Sequence, residues 1–575
     1  MTETLTIISE RVDDIPLLLV QLERMGVPVL VDAHFPTHGN WVGLSLGWVT
    51  VVWLTHILSQ ADHRLSHVEP WAEQPLHTLG CCTGQPVHPL DLSDARLAVV
   101  LEALRADDRW AAFEGALPQQ VWRVYALPPE RVRLDSTTAS GDWRVTEDGL
   151  CQFGPRQDQR PDLPQVTVMV SALDPLGWPV ATDVVPGQRA DDPLYIPAIA
   201  RVRQSLGRGG RRSVGDGKMG TLETRAFIQA GGDYYLCPLS ELQVPAAVLE
   251  RAVAPVWPGQ QPLPRIDRRA ANGKRVLVAE GDERLEPLTA PVAGQPITWT
   301  ERRLVVRSRQ LAQAGERGLR ARLTKAQAAV AALTDRRRGK RRLTQLPTRQ
   351  EAVEASVRRY QVQGVLHVCY DEHLRERPVR RYGSRPATVR VEREAPVRAC
   401  VAQEAVAAAV RRLGWRVYAT TQPAAQLSLG QAVVADRREY LRERNMGRLK
   451  GRPLALTPMV LARDDHATGV IRLLSLGLRV LTLLEFVVRR RLATGRTALA
   501  GLYAGNPKRA TARPTAERLL ESVRGLTLTR IREGRRHRSH LTPLSALQQR
   551  SLALLDFPID IYTPLWADFR KPPYT

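Results

Sequence analysis

Cysteine is scarce in this chain of 575 residues. The six that occur, at 81, 82, 151, 237, 369 and 400, form no CxxC pair and no zinc spacing. Neither a disulfide framework nor a zinc ribbon is legible, and a reduced compartment fits. Aromatic residues make up only 5%, which speaks against the stacking platforms of an RNA-binding protein. Uncharged apolar runs of membrane length are missing too. The greasiest stretch, GVIRLLSLGLRVLTLLEFVV at 469–488, carries Arg472, Arg479 and Glu485. A bilayer helix rarely tolerates three charges, so this one reads as a buried core helix and no membrane partner is expected. The first residues, MTETLTIISERVDD, are acidic and lack the basic-then-apolar build of a signal peptide.

Negative charge is also in short supply. Asp and Glu number 59 against 82 Lys and Arg, for a formal net charge of +23 and a pI near 10.5. A surface that basic concentrates a polyanion, nucleic acid above all, although charge alone would also suit an anionic membrane surface. Hydrophobic residues reach 43%, as in a folded protein, and the length suggests several domains, each with its own core.

Residues 1–120 read as mainly helical. DDIPLLLVQLERMG has helical apolar spacing and stops at Gly26, and DLSDARLAVVLEALRADD opens on a Ser/Asp cap. Tandem helices here suit a DNA-binding domain or any helical bundle. From about 121 the pattern becomes that of strands. RVRLDSTT alternates, with Val132 and Leu134 on one face and Arg133 and Asp135 on the other. QVTVMVSALDPLGWPVATDVVPG reads as two strands around a turn at Asp174-Pro175-Leu176-Gly177. Residues 241–300 are dotted with proline and show no clear period. The window 301–350 holds fifteen Lys/Arg against three acids, and the run DRRRGKRR, with Arg336, Arg337, Arg338 and Lys340, is read as a phosphate contact on a cationic helix or helical hairpin rather than a solvated face. Strands are expected again at 364–370, 386–394 and 415–421, and mostly helix beyond Pro453, including a basic run at 527–540.

Several motifs dissolve on inspection. HRLSH (His63 to His67) puts Arg64 where a zinc protease needs Glu, CYDEH has no second ligand pair, and SLGRGGRRS lacks the Lys-Ser/Thr of a P-loop. Three carboxylates stay in view. Asp135 ends a strand before Ser136-Thr137-Thr138, and taken alone it is a cap or an Asx turn. Asp216 sits between Gly215 and Gly217, and taken alone it is a turn aspartate. Glu443 stands between Arg442 and Arg444 in REYLRERNMGRLKGRPL, where it is an ordinary helix salt-bridge residue or a metal ligand beside a polyanion. Together they have the composition of a site for hard divalent ions, which prefer carboxylate oxygens and drive phosphoryl transfer with little covalent work by the protein.

On LDSTT, RPDLPQVTVMVSALDPLGWPVATDVVPGQRADDP, VGDGKMG and ERNMGRLKGRP, the chain resembles the DDE transposases of bacterial insertion sequences, closest to the insertion-sequence 4 superfamily. The resemblance spans about 130–240 and 410–490. It implies an α/β fold: an RNase H-like mixed-sheet core interrupted by an insertion domain, with helical N- and C-terminal regions. The corresponding divisions are 1–120 (helical, accessory or DNA-binding), 121–240 (first part of the core), 241–425 (insertion with the basic segment), 426–495 (second part, with the glutamate helix) and 496–575 (basic, helical). It further implies Asp135, Asp216 and Glu443 as catalytic metal ligands for Mg2+, with Mn2+ as a substitute. Lys450, Arg448, Arg452, Arg438 and Tyr440 then join the basic run as DNA contacts. The implied activity is cutting at terminal inverted repeats and joining 3′ ends to target DNA, by a homodimer on double-stranded DNA in the cytoplasm at the nucleoid. The family's Tyr and Arg signature positions upstream of the glutamate hold Asp436 and Glu439 here. Two alternatives stand beside it: an RNase H-like nuclease that cuts without joining, and an inactive, transposase-derived DNA-binding protein.

Overall fold

The structure is a computed structural model. It describes residues 5–566, apart from 142, 144, 155–161, 208, 257–262, 270–273, 335–344, 372, 395, 437–439, 458, 460–462, 464–465 and 534–535. The chain divides into two compact units. The first comprises 1–237, 288–299 and 435–575, and the second 238–287 and 300–434.

In chain order the first unit begins with strand β1 (Leu5–Arg11) and helices α1 (Ile15–Arg24), α2 (Val27–His34), α3 (Leu46–Gln60), α4 (Val68–Ala72), α5 (Leu76–Thr83), α6 (Asp94–Leu104) and α7 (Asp107–Tyr125). There follow β2 (Arg131–Ser140), β3 (Gln165–Leu173), β4 (Trp178–Pro186), α8 (Tyr195–Leu206), β5 (Arg212–Val214), α9 (Leu222–Ala230) and β6 (Tyr234–Pro238). These strands lie in the order β4-β3-β2-β5-β6. β4, β3 and β2 are antiparallel neighbours, while β5 and β6 run parallel to β2. A three-strand meander extended by two parallel strands, each reached through a helix, is the topology expected of an RNase H-like sheet, and the protein is α/β.

The second unit holds α10 (Ala246–Val253), β7 (Arg265–Arg269), most of the long hairpin β8 (Arg275–Val292) and β9 (Gln295–Ser308), α11 (Arg309–Ala332), α12 (Leu346–Tyr360), β10 (Leu366–Tyr370), β11 (His373–Val379), β12 (Thr388–Glu394), β13 (Val397–Val401), α13 (Gln403–Arg412) and β14 (Trp415–Thr420), and ends within α14 (Leu429–Asp436). Its strands β14, β9, β8 and β7 are neighbours in that order. Leu319, Leu323 and Ala326 of α11 pack with Val406 of α13 and Leu366 of β10 in a core of their own. The 241–300 stretch, aperiodic in sequence, holds α10, β7 and most of this hairpin. Its strands carry Pro287, Pro291 and Pro296, which break the alternation. They turn at Ala293-Gly294 with both φ angles positive, +49° and +80°, the geometry of the two-residue turn that best fits twisted strands.

The first unit closes with α15 (Tyr440–Lys450), α16 (His466–Thr494), α17 (Ala516–Ser522), the hairpin β15 (Thr527–Glu533) and β16 (Arg536–Leu541), and α18 (Ala546–Leu555). The expected helix at 527–540 is therefore corrected to strands: β15 pairs with β1 on one side and β16 on the other. Thr527, Thr529 and Ile531, alternate β-branched residues, favour the pleated surface.

α16 is the core helix the sequence suggested, buried along nearly its whole length. Among the described residues no helix is long and apolar enough to cross a membrane. Each of the three charges within 469–488 is paired. Arg472 meets Asp107 and donates to the Leu104 carbonyl at 2.8 Å. Arg479 meets Glu114 and donates to the Pro179 carbonyl at 2.9 Å. Glu485 forms ion pairs with Arg444 at 2.8 Å and Arg489 at 3.1 Å, and accepts hydrogen bonds from Arg448 and, at 3.1 Å, from the backbone N–H of Ala516. Removing one member of such a buried cluster leaves the others desolvated and uncompensated. Glu485→Gln is expected to cost about 3–5 kcal/mol, read as a lowered denaturant midpoint; an unchanged midpoint would show that the arginines find other partners.

Candidate functional site

The parallel register of β2 and β5 positions the site. Arg131 pairs with Arg212, Val132 with Ser213 and Arg133 with Val214. Continued by two residues, the same register sets Asp135 beside Asp216. Neighbouring strands lie about 4.8 Å apart, and matched positions point to the same face. Asp135, expected at a strand end, lies mid-strand, because β2 continues to Ser140 through pairing with β3. Asp216 lies two residues past β5, at the carboxyl end of a parallel strand, where open α/β sheets place their ligands. Both aspartates are half-buried.

Tyr195, at the start of α8, is fully buried and joins them. Its hydroxyl donates to Asp216 Oδ1 at 2.7 Å. The backbone N–H of Lys218 donates to the same oxygen at 3.0 Å, so the carboxylate is held by one atom. Burial, followed by the charges of Asp216, Asp135 and Asp191, pushes the Tyr195 phenol well above its ordinary range. It therefore remains a hydrogen-bond donor at any physiological pH. The Lys218 ammonium pairs with Asp191. Burial works against its charge, but Asp191, Asp216 and Asp192 outweigh that and raise its pKa.

On its other side Asp135 lines a cavity with Arg133, Val170, Asp174, Gly177, Asn445 and Met446. The β3–β4 turn and α15 meet there. Asn445 is buried and donates through Nδ2 to the Gly177 carbonyl at 2.6 Å. Gly177 has φ +79°, and a Cβ there would sit 2.6 Å from that same amide nitrogen, so both conformation and space require glycine. Arg133 is tied to Asp174 at 3.3 Å and to the Ala435 carbonyl at 2.8 Å.

Glu443 stands apart. It is exposed on α15, and among the described residues no group of three or more His, Cys, Asp or Glu side chains is placed to hold a metal ion. The structure thus brings Asp135 and Asp216 together but does not assemble all three acids. The cause is the rotation of α15. Arg444 and Arg448 face Glu485, and Arg448 also grips Glu517 at 2.6 and 2.9 Å, which turns Glu443 outward. A Cβ at Gly447, one turn on, would meet nothing within 4 Å, so packing within the chain does not demand a glycine there.

The basic residues divide. Arg448 is buried, its guanidinium committed to two carboxylates whose pull outweighs burial and raises its pKa; it is not presented to solvent for a phosphate. Lys450 is half-buried and already has a partner. Arg452 is exposed just past the end of α15. Tyr440 is the first residue of α15. Arg438, Arg336, Arg337, Arg338 and Lys340 lie outside the described residues, as does Glu439. Sequence reasoning passed over Tyr195, Asp191 and Asn445. Asn445 lies two residues from Glu443 in the same helix, but nothing in the spacing links Tyr195 to an aspartate 21 positions later.

No family model matches the chain, and no curated protein matches it. Among solved structures it is similar to piggyBac transposase, in a synaptic complex with hairpin DNA determined by cryo-electron microscopy. The identity is 12% and the TM-score 0.23, over 41% of this chain and 53% of that one. The chain therefore spans about half the length of that transposase, and a superposition so loose fixes neither fold nor function. Nothing in these comparisons points to the insertion-sequence 4 superfamily.

Tyr195→Phe keeps the ring and removes only the hydroxyl bonded to Asp216. The expected loss is about 1.5–3 kcal/mol of stability, the range for a hydrogen bond to a charged group, measured by chemical denaturation. A variant as stable as the wild type would show that the bond contributes nothing.

Proposed function

We propose that the protein is a DNA transposase that cuts at the ends of an insertion sequence and joins the 3′ ends to target DNA by metal-dependent phosphoryl transfer, working as a homodimer on duplex DNA. The observation that carries this reading is that the parallel register of β2 and β5, extended two residues past the end of β5, sets Asp216 level with Asp135 in a sheet with RNase H-like order. The net charge of +23 supports a polyanionic substrate.

The residues present fit a hard divalent ion in part. Mg2+ is commonly held by one or two carboxylates, with substrate phosphates and water completing its shell, and Asp135 and Asp216 supply two carboxylates on one face. Glu443 would be the third only after α15 turns. Mg2+ or Mn2+, when bound, supplies Lewis acidity at the scissile phosphate and a lowered pKa for its water. The chain's own contributions are distinct from that. Tyr195 and the Lys218 N–H fix the Asp216 carboxylate through one oxygen. The Lys218 side chain places positive charge beside Asp191 and Asp216, acids that a DNA backbone would otherwise repel. Arg452 offers an exposed cation near the end of α15 for a phosphate.

A second reading is favoured by the outward position of Glu443: a transposase-derived protein that binds DNA without cutting it. One assay separates the two. Protein is incubated with duplexes carrying the inverted repeats that flank its own gene, with Mg2+, and strand cleavage and joining to a target plasmid are followed. Cleavage is expected with wild type, reduced by about 100-fold or more in Asp135→Asn and in Asp216→Asn, since each removes charge stabilisation of several kcal/mol, and abolished by EDTA. Binding without cleavage supports the second reading, and cleavage without joining identifies a nuclease.

A further inference from the structure

The strands β11 and β12 form a sheet of only two strands, paired from His373↔Glu394 to Val379↔Thr388. Every residue from Glu376 to Val391 is exposed. A two-stranded ribbon with neither face packed is marginal in water, so its stability depends on what it meets. Its distal part, residues 377–390, contains five arginines (377, 380, 381, 385 and 390) and no acid. Arg377 lies directly across from Arg390, a like-charge cross-strand pair that destabilises the ribbon until an anion comes between them. At the tip, Tyr382 bridges to Arg385 around Gly383, which has φ +61°.

We infer that this ribbon is a DNA-docking arm that enters a groove of duplex DNA, with Arg377 and Arg390 on phosphates and the Arg380–Arg385 tip leading. The major groove is wide enough for a two-stranded ribbon. The exposed Val389 and Val391, 60% and 53% accessible, offer apolar contact of the kind thymine methyls accept. An added protein strand suits the ribbon less well: Pro378 in β11 has no N–H to give it, and the backbone that would pair with it carries no net charge to relieve the arginines. The choice of duplex DNA rests on the proposed function, and the test keeps the two apart.

The test is the salt dependence of duplex binding by the full chain, followed by fluorescence anisotropy on a labelled oligonucleotide. Each phosphate neutralised contributes about 0.9 to the slope of log affinity against log salt. Replacing Arg377, Arg380, Arg381 and Arg390 together by Ala is expected to lower the slope by about 3–4 without changing the circular dichroism spectrum. Lysine at the same four positions restores it, which separates lost charge from a collapsed ribbon. A slope changed by less than about one phosphate's share in a chain that still binds DNA overturns this docking arm and leaves the proposed function standing. Loss of self-association in Val389→Ser/Val391→Ser, with the alanine variant's slope unchanged, likewise overturns it in favour of a protein contact. Failure of the wild type to bind any duplex overturns both.

Discussion

The first unit depends on a rule of buried charge: an ion may leave water only if it is paired. α16 carries three ions through the core and finds a partner for each in a different place. Arg472 and Arg479 draw in Asp107 and Glu114 of α7, and Arg479 also takes the Pro179 carbonyl of β4. Glu485 draws in Arg444 and Arg448 of α15 and caps the first residue of α17. One helix thereby sets the position of the sheet, the N-terminal helices and the helix that bears Glu443. The cluster at Glu485 also decides which side of α15 faces inward. With two arginines held there, Asn445 reaches the β3–β4 turn and Glu443 faces solvent.

Much of this was legible in the residues, for physical reasons. The alternation of RVRLDSTT and the Asp-Pro-Leu-Gly turn identify β2, β3 and β4, because period two and turn chemistry are local signals. The charges inside 469–488 gave away a core helix rather than a membrane span. The proximity of Asp135 to Asp216 was not derivable from spacing: it comes from strand register between residues 81 positions apart, and was suggested only by resemblance. Tyr195 was invisible for the same reason. The long β8–β9 hairpin was hidden because its solvent-facing strands carry prolines and its turn uses Ala-Gly rather than a strong turn pair. The hairpin at 527–541 was misread because arginine-rich strands and arginine-rich helices look alike when neither face is deeply apolar.

Charge, too, looks different once folded. The surplus of arginine that suggests a nucleic-acid partner is not all on the surface. Arg133, Arg448, Arg472 and Arg479 are buried and serve as internal ties, so Arg448, a phosphate contact by sequence pattern, is a structural ion in the fold. Exposed arginine without acidic company is found instead at the β11–β12 ribbon and past the end of α15. Within the proposed function, recognition and chemistry are thus carried by different stretches of chain, while the strand pair at Asp135 and Asp216 remains the place where the scissile phosphate would sit.

The most direct measurement is a structure of the protein bound to duplex DNA in the presence of Mn2+, with the ion located by its anomalous scattering. The account predicts manganese between the Asp135 and Asp216 carboxylates, against a DNA phosphate. Manganese elsewhere, or DNA bound with that strand edge empty, would contradict it.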